Sequence, residues 1–153
     1  MNAAKLIAAL DKQTVPGRRM IWAPLIPFPA LGSLAPDFLF DLTQGEKIAL
    51  RRLQGRRVLL NFWTTWSSPS REQLRRLQRL QDQSAQDEAF IVAINDGENP
   101  NQVTEFFHKN DFTMHFVPDE QRQIARLYRI RCWPTTIMID ALGKVTKTQF
   151  GLG

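Results

Sequence analysis

The sequence predicts an α/β fold in which a mixed central β-sheet is flanked by helices, and three features indicate it. From residue 38 onward, short apolar segments rich in β-branched and aromatic residues alternate with longer amphipathic segments. This alternation is typical of a βαβ core. The last two apolar segments surround a turn at 141–143, which predicts a hairpin. With 153 residues, of which 43% are apolar, the chain suits one domain with a sizeable core.

The first part of the chain differs in composition from the rest, so we divide the sequence into 1–31 and a domain at 32–153. Residues 2–13 have helical propensity, whereas several prolines then exclude regular structure, and we expect 14–31 to form an extended apolar arm. These prolines are Pro16, Pro24, Pro27 and Pro29. An exposed apolar arm would promote aggregation, so we expect it to pack on the domain or on a partner.

Within the domain, each element is predicted from its apolar pattern and its boundaries. The first central strand is largely apolar, and the helix after it has Leu74, Leu77 and Leu80 at the spacing of one buried stripe. Asn99-Pro100 predicts the start of the next helix, because proline fits a first helical turn. The predicted strands are 38–42, 47–50, 57–63, 89–95, 135–140 and 145–150, the predicted helices are 70–83, 100–109 and 120–128, and 115–117 is a short apolar segment.

One turn carries the most informative residues of the chain. Ser67-Ser68-Pro69-Ser70 follows the apolar run 61–66, which reads as a strand and its exit, and precedes a helix. Unpaired N–H groups and the dipole at a helix N-terminus stabilise a thiolate, so this is the setting in which a Cys-x-x-Cys pair becomes redox-active. Here both sulfur positions, 67 and 70, carry serine.

Residues 61–72 resemble the N-F-W-A-T-W-C-x-P-C-R-x-E signature of thioredoxin-like proteins, and the nearest branch is the TlpA/ResA-type thiol-disulfide oxidoreductases, which are related to the AhpC/TSA family. Three further segments resemble the same family in the same order. They are 34–38, 92–96 with Glu98-Asn99-Pro100, and 133–140 with Gly143-Lys144-Val145. The resemblance extends from about residue 32 to the C-terminus and implies a thioredoxin-like sandwich.

The resemblance also implies a substrate surface. Pro134 would be a cis-proline whose loop faces the turn at Ser67-Ser68-Pro69-Ser70, here named the serine turn. The backbone of that loop would pair with an extended peptide. Trp133 and Trp66 would flank the groove, with Pro69 in the turn beside it. We therefore predict a protein or peptide partner at this surface, although Trp66 could equally well do no more than cover the turn. We expect Trp63 in the core.

The serines at 67 and 70, the positions of the family's catalytic cysteines, predict a redox-inactive site. A serine hydroxyl is a far weaker acid than a thiol and forms no disulfide, whereas exchange needs a thiolate, a resolving thiol and a sulfur leaving group. The helix dipole stabilises an anion by about 0.3–1 kcal/mol, and by ~2 kcal/mol at best, which is too little to offset the difference in acidity between a serine hydroxyl and a thiol. Hydrolysis by Ser67 would need a base, and the family fold places His108 and His115 away from the turn.

Several alternatives remain open at this point. The chain could be an active thiol-disulfide oxidoreductase studied as a Cys→Ser variant, a monothiol protein that works through Cys132, or a peptide-binding module of a larger protein. Cys132 is the single cysteine and lies two residues before Pro134. We expect it to be a small, partly buried loop residue rather than a reactive thiol.

The chain ends at Gly153, three residues after the last predicted strand, and family members usually continue into another helix. We therefore expect a domain without that final helix, in a chain cut from a longer protein or with the N-terminal segment covering the exposed sheet face. The resemblance suggests an extracytoplasmic protein, but the apolar run at 6–10 is too short for a convincing secretory signal. The compartment stays undetermined.

Composition excludes several classes of function. The net charge is +5, and positions 51–79 contain eight arginines but a single acidic residue, Glu72. Without a nucleic-acid-binding motif we read these arginines as a solvated surface, and we predict no nucleic-acid partner. No apolar run approaches the ~20 residues of a membrane span. One cysteine and two dispersed histidines predict no metal site, and nothing indicates a cofactor.

Overall fold

The computed structural model describes residues 28–43, 46–83 and 89–153. The helix predicted at 2–13 and most of the proline-rich arm lie outside these residues. The elements in chain order are β1 (Leu39–Thr43), β2 (Glu46–Ala49), a 3₁₀ turn (Leu50–Leu53), β3 (Val58–Trp63), α1 (Ser68–Gln83), β4 (Phe90–Asp96), α2 (Pro100–Lys109), β5 (His115–Asp119), α3 (Gln123–Leu127), β6 (Thr135–Ile139) and β7 (Val145–Phe150).

The described strands form a mixed sheet in the order β5-β4-β3-β6-β7, with β1 and β2 as a separate antiparallel pair. Strand β3 pairs in parallel with β4 and antiparallel with β6, and β4 pairs in parallel with β5. Every residue of β3 is buried, as its apolar run predicts for a strand covered on both faces. The structure confirms the predicted α/β fold with helices flanking a mixed sheet.

Alternation along β3 supplies a core on each face of the sheet, because successive side chains point to opposite sides. Leu60 and Phe62 belong to one cluster, which also contains buried residues of α3. Leu59 and Trp63 belong to the other, with buried residues of α1 and α2. Trp63 is fully buried and packs against Phe106 and Phe107, so its predicted place in the core is confirmed.

Two predicted boundaries near the site are wrong. Helix α1 begins at Ser68 rather than at 70, because a proline at 69 loses no hydrogen bond in a first helical turn. The helix predicted over 120–128 is confined to Gln123–Leu127. It starts late because Arg122 has a left-handed backbone with φ 57° and its N–H donates to the Asp119 carbonyl at 2.9 Å, which forms a turn.

Two further segments differ from expectation. The apolar segment at 115–117 is part of a full strand, β5, because it pairs with β4 as far as Asp119. The second strand ends at Ala49 rather than at 50, because Leu50 opens the 3₁₀ turn and buries its side chain there.

A groove of about 990 Å³ lies between the C-terminal end of α1, the amino ends of β3 and β4, and the carboxyl end of β6. Leu59, Ile91 and Met138 of the sheet and Leu80 of α1 are among its lining residues. Leu80 is exposed there. Residues 1–27, which form most of the N-terminal segment that we expected to cover a sheet face, lie outside the described residues.

Tyr128 ties the end of α3 to the chain before β1. Its ring is fully buried between Phe38 and Phe62, with ring centroids 5.8 and 5.5 Å away, and its hydroxyl donates to the Pro36 carbonyl at 2.6 Å. Burial of the hydroxyl raises the pKa of Tyr128 above its ordinary value, and the negative charge of Asp37 makes a smaller contribution in the same direction.

Because Tyr128 is the single tyrosine, a titration of phenolate absorbance reports on it alone. We expect no phenolate in the folded protein at pH ~10, where an unfolded chain titrates. Since the folded pKa is the higher one, the unfolded state loses its proton first, so this contribution to the free energy of unfolding falls above pH ~10. Tyr128→Phe should remove that part of the pH dependence. A native midpoint near 10 would contradict the burial.

Candidate functional site

Ser67 stands at the N-terminus of α1, and its hydroxyl caps the helix. Its Oγ accepts a hydrogen bond from the Ser70 backbone N–H at 3.2 Å, and its carbonyl accepts the first helical bond from the Arg71 N–H at 3.0 Å. This is the geometry of an N-cap residue bonded to the third helical position. The side chain of Ser67 is therefore part of the helix start.

Ser70 is buried beneath the same turn. Its Oγ accepts a hydrogen bond from the Thr64 backbone N–H at 3.4 Å, which links the first turn of α1 to the end of β3. Pro69 is exposed between the two serines. Neither hydroxyl is placed near an imidazole: His108 is exposed at the end of α2, and His115 stacks on Phe90 at the opposite edge of the parallel strands.

The structure brings Trp66, Trp133 and the Pro134 loop together. The two indole rings meet edge to face, with centroids 5.5 Å apart and planes at 70°. Trp66 is 65% exposed. The Trp133–Pro134 bond is cis, as predicted, and the Pro134 carbonyl accepts a hydrogen bond from the Gly151 N–H at 2.8 Å, beyond the end of β7.

Asp96, the last residue of β4, fixes the orientation of Trp133. Its Oδ2 accepts a hydrogen bond from the Trp133 Nε1–H at 2.7 Å and another from Arg122 Nη2 at 3.2 Å, while Oδ1 accepts from Arg122 Nε at 2.5 Å. The carboxylate is 1% exposed, whereas the Arg122 side chain is 39% exposed. The hydrogen bond from Arg122 to Asp96 is the main cause that raises the pKa of Arg122.

Glu98 joins the serine turn to the loop after β4. Its two carboxylate oxygens accept hydrogen bonds from the Thr65 N–H at 2.9 Å and the Thr65 hydroxyl at 2.5 Å. Asn95 Nδ2 also donates to Glu98, at 2.5 Å. Because charge-assisted hydrogen bonds are stronger than neutral ones, Glu98 holds these two loops in register.

Cys132 differs from the expectation of partial burial, because the structure exposes it. Its carbonyl accepts a hydrogen bond from the Thr135 hydroxyl at 2.8 Å, and its Sγ lies 3.4 Å from that oxygen. These contacts attach the loop to Thr135, the first residue of β6, while the Cys132 side chain remains exposed to solvent.

Within the described ranges, no group of three or more His, Cys, Asp or Glu side chains could hold a metal ion. None of the helices in that part of the chain has the length and apolar character to cross a membrane.

The fold and the turn at the start of α1 define a thioredoxin-like domain of the thiol-disulfide oxidoreductase type. The chain belongs to the AhpC/TSA family, whose sequence model matches residues 31–148. The resemblance seen in the sequence motifs is thereby confirmed.

The comparisons also give individual relatives. The thiol-disulfide oxidoreductase ResA of Geobacillus thermodenitrificans is 35% identical over 122 residues, which are 80% of this chain and 70% of that protein. A putative thiol:disulfide interchange protein DsbE from Chlorobium tepidum superposes with a TM-score of 0.73 and 26% identity, over 80% of this chain and 86% of that one. StoA from Bacillus subtilis superposes with a TM-score of 0.67 and 29% sequence identity, over 77% of this chain and 90% of that one.

Sequence reasoning did not single out Asp96, Glu98 or Arg122 as parts of the site. A signal existed for the two acids, because Asp96 ends a buried strand beside β3, Glu98 comes two residues later, and the carboxyl ends of adjacent parallel strands meet at one edge of the sheet. No comparable signal exists for Arg122, which lies 26 positions from Asp96 and reaches it through a left-handed turn.

We expect Ser67→Ala to lower the free energy of unfolding by about 1 kcal/mol, because the variant loses the cap of α1. Ser67→Asp should retain most of the stability, since aspartate caps equally well. The matched control is Ser68→Ala, which removes an exposed hydroxyl one residue away. Urea denaturation measures all three, and an equal effect of the Ser67→Ala and Ser68→Ala changes would contradict the capping role.

Asp96→Asn should destabilise the domain by about 1–3 kcal/mol, because the neutral amide forms no ion pair with Arg122 and replaces one acceptor oxygen with a donor. Partial exposure of Arg122 keeps the loss below that of a fully buried pair. Asp37→Asn is the control, because Asp37 and Arg51 form an exposed pair at 2.5 Å that should contribute ~1 kcal/mol or less. Near-ultraviolet circular dichroism should change for Asp96→Ala, which leaves the Trp133 Nε1–H without its acceptor, whereas the amide oxygen of asparagine can still accept that hydrogen bond. An unchanged tryptophan signal would contradict the anchoring role.

Proposed function

We propose that this thioredoxin-like domain carries out no dithiol–disulfide exchange at positions 67 and 70 and that it binds an extended protein segment beside the serine turn. The observation that carries the first part is the Ser67 hydroxyl, which accepts the Ser70 N–H at 3.2 Å as a helix cap. A hydroxyl in that position stabilises the fold without supplying a thiolate.

The chemistry of exchange supports the loss of activity. A thiolate must attack a disulfide, a second thiol must resolve the mixed disulfide, and a sulfur must leave. At positions 67 and 70 the chain offers two alcohols, and its single thiol, Cys132, belongs to the loop before β6. The relatives named thiol-disulfide oxidoreductases suggest the ancestral reaction of this site.

The aromatic surface supports retained binding. Trp66 exposes most of its ring, although its neighbour Trp63 is fully buried. Trp133 is held by Asp96, so the indole pair is preorganised rather than free to collapse. Exposed tryptophans in such a setting are frequent anchors of protein–protein contacts. A peptide could therefore dock against Trp66, Trp133 and Pro134 without sulfur chemistry.

Exposure of Cys132 favours a second candidate, a monothiol function beside the same surface. A thiol there could form a mixed disulfide with glutathione, but the chain has no second cysteine to resolve it. Mass spectrometry after incubation with oxidised glutathione, with Cys132→Ser as the control, would detect the adduct.

We expect the protein to show no turnover of insulin disulfides with dithiothreitol above the rate of the Cys132→Ser variant. The double variant Ser67→Cys/Ser70→Cys, made in the Cys132→Ser background, should gain activity and form an internal disulfide. Its residue-67 thiol should titrate in the range of roughly 3.5–7.5 found for such motifs. Turnover by the unmodified chain above the rate of the Cys132→Ser variant would contradict the expected lack of activity. A thiol pKa near ~8.5 without disulfide formation would show that the turn no longer activates sulfur.

A further inference from the structure

Two arginines that form no ion pair among the described residues belong to the segments that carry the indole pair. The Arg71 guanidinium lies against the turn, where Nη1 donates to the Thr65 carbonyl and Nη2 to the Ser68 hydroxyl, both at 2.8 Å. These acceptors are neutral oxygens, so they orient the guanidinium without cancelling its charge. Arg71 is thereby fixed next to the residue that precedes Trp66.

A second arginine belongs to the loop that carries Trp133. Arg131 is exposed and lies two residues before Trp133, so its Cα is within about 7 Å of the Trp133 Cα. Among the described residues, the ion pairs involve neither Arg71 nor Arg131. The loop therefore carries an exposed positive charge two residues from Trp133.

Of the two nearby carboxylates, Asp96 is neutralised by Arg122, whereas Glu98 bonds to neutral groups and keeps its charge. In the part of the chain that the structure describes, neither carboxylate forms an ion pair with Arg71 or Arg131. Asp96 is buried and bound to Arg122 and Trp133. Glu98 accepts hydrogen bonds from Thr65 and Asn95. An apolar centre with a basic rim is complementary to an apolar side chain flanked by carboxylates.

We propose that the partner of this surface is an acidic protein segment, which places an apolar side chain against Trp66 and Trp133 and its flanking aspartates or glutamates against Arg71 and Arg131. This inference rests on the proposed peptide-binding function and specifies its ligand class. Arginine pairs with carboxylates through its planar fork, which gives both affinity and orientation.

A single-stranded nucleic acid would offer negative charge as well, but the geometry favours the peptide. Base recognition on such surfaces depends on stacking against an aromatic face. Trp66 and Trp133 meet edge to face at 70°, so no slot exists between them in which a base could be sandwiched. A base would be limited to stacking on the exposed face of Trp66, whereas an apolar side chain can pack against Trp66 in any orientation.

The test is a fluorescence anisotropy titration of the full chain with three labelled ten-residue peptides. Each has a central leucine pair with four aspartates, four asparagines or four lysines on each side. We expect the aspartate peptide to bind at least tenfold more tightly than the asparagine peptide in ~50 mM salt, with the difference reduced in ~500 mM salt. The lysine peptide should bind most weakly.

Charge-reversal variants locate the effect. Arg131→Glu should weaken binding of the aspartate peptide at least fivefold. Arg52→Glu, an equally large charge change on the 3₁₀ turn, should alter it less than twofold. Trp66→Ala should weaken all three peptides. Equal losses with Arg131→Glu and Arg52→Glu would overturn the assignment, because binding would then depend on net charge alone.

The outcomes separate this inference from the proposed function. Equal, Trp66-dependent binding of the aspartate and asparagine peptides would overturn the acidic specificity and leave the peptide surface intact. Binding of none of the three would overturn both. Displacement of the aspartate peptide by an equimolar oligothymidylate would overturn the acidic-protein assignment in favour of nucleic acid.

Discussion

Strand β3 is buried along its whole length, and the position of the serine turn depends on that burial. Its alternate side chains enter the cores on the two faces of the sheet, so neither rotation nor a one-residue shift of the strand is tolerated. The chain must therefore leave the sheet at Trp63 in a fixed direction. The Ser70 side chain bonds to Thr64 and the Ser67 cap then starts α1 within a few residues of that exit.

The neighbouring strand ends complete the surface, and each contributes a different kind of contact. β4 delivers a buried carboxylate at Asp96, the turn before α3 delivers Arg122, and the loop before β6 delivers Trp133. Arg122 and Trp133, from two later segments of the chain, thus both contact the carboxylate at the end of β4. Because Asp96 accepts a hydrogen bond from the Trp133 indole, the Trp133 ring can stay beside the exposed Trp66 without a bound partner to order that ring.

The fold was accessible from sequence because it depends on patterns that are local and periodic. The alternation of strands and helices, the buried β3 and the proline at the start of α2 all follow from short-range rules. The Asp96–Arg122–Trp133 contacts could not be predicted from such rules. They depend on a left-handed backbone at residue 122 and on the strand order, and neither follows from a local sequence pattern. The exposure of Cys132 likewise depends on how its loop enters β6.

The cap at Ser67 bears on how such a domain can change over evolutionary time. A helix start at this position needs an atom that accepts a hydrogen bond, and serine meets that need. A substitution that removes sulfur can therefore leave the helix intact and pass selection on folding. Catalysis and architecture then become separable at a single atom, so a reaction can be lost while the surface that once presented it remains available for new partners.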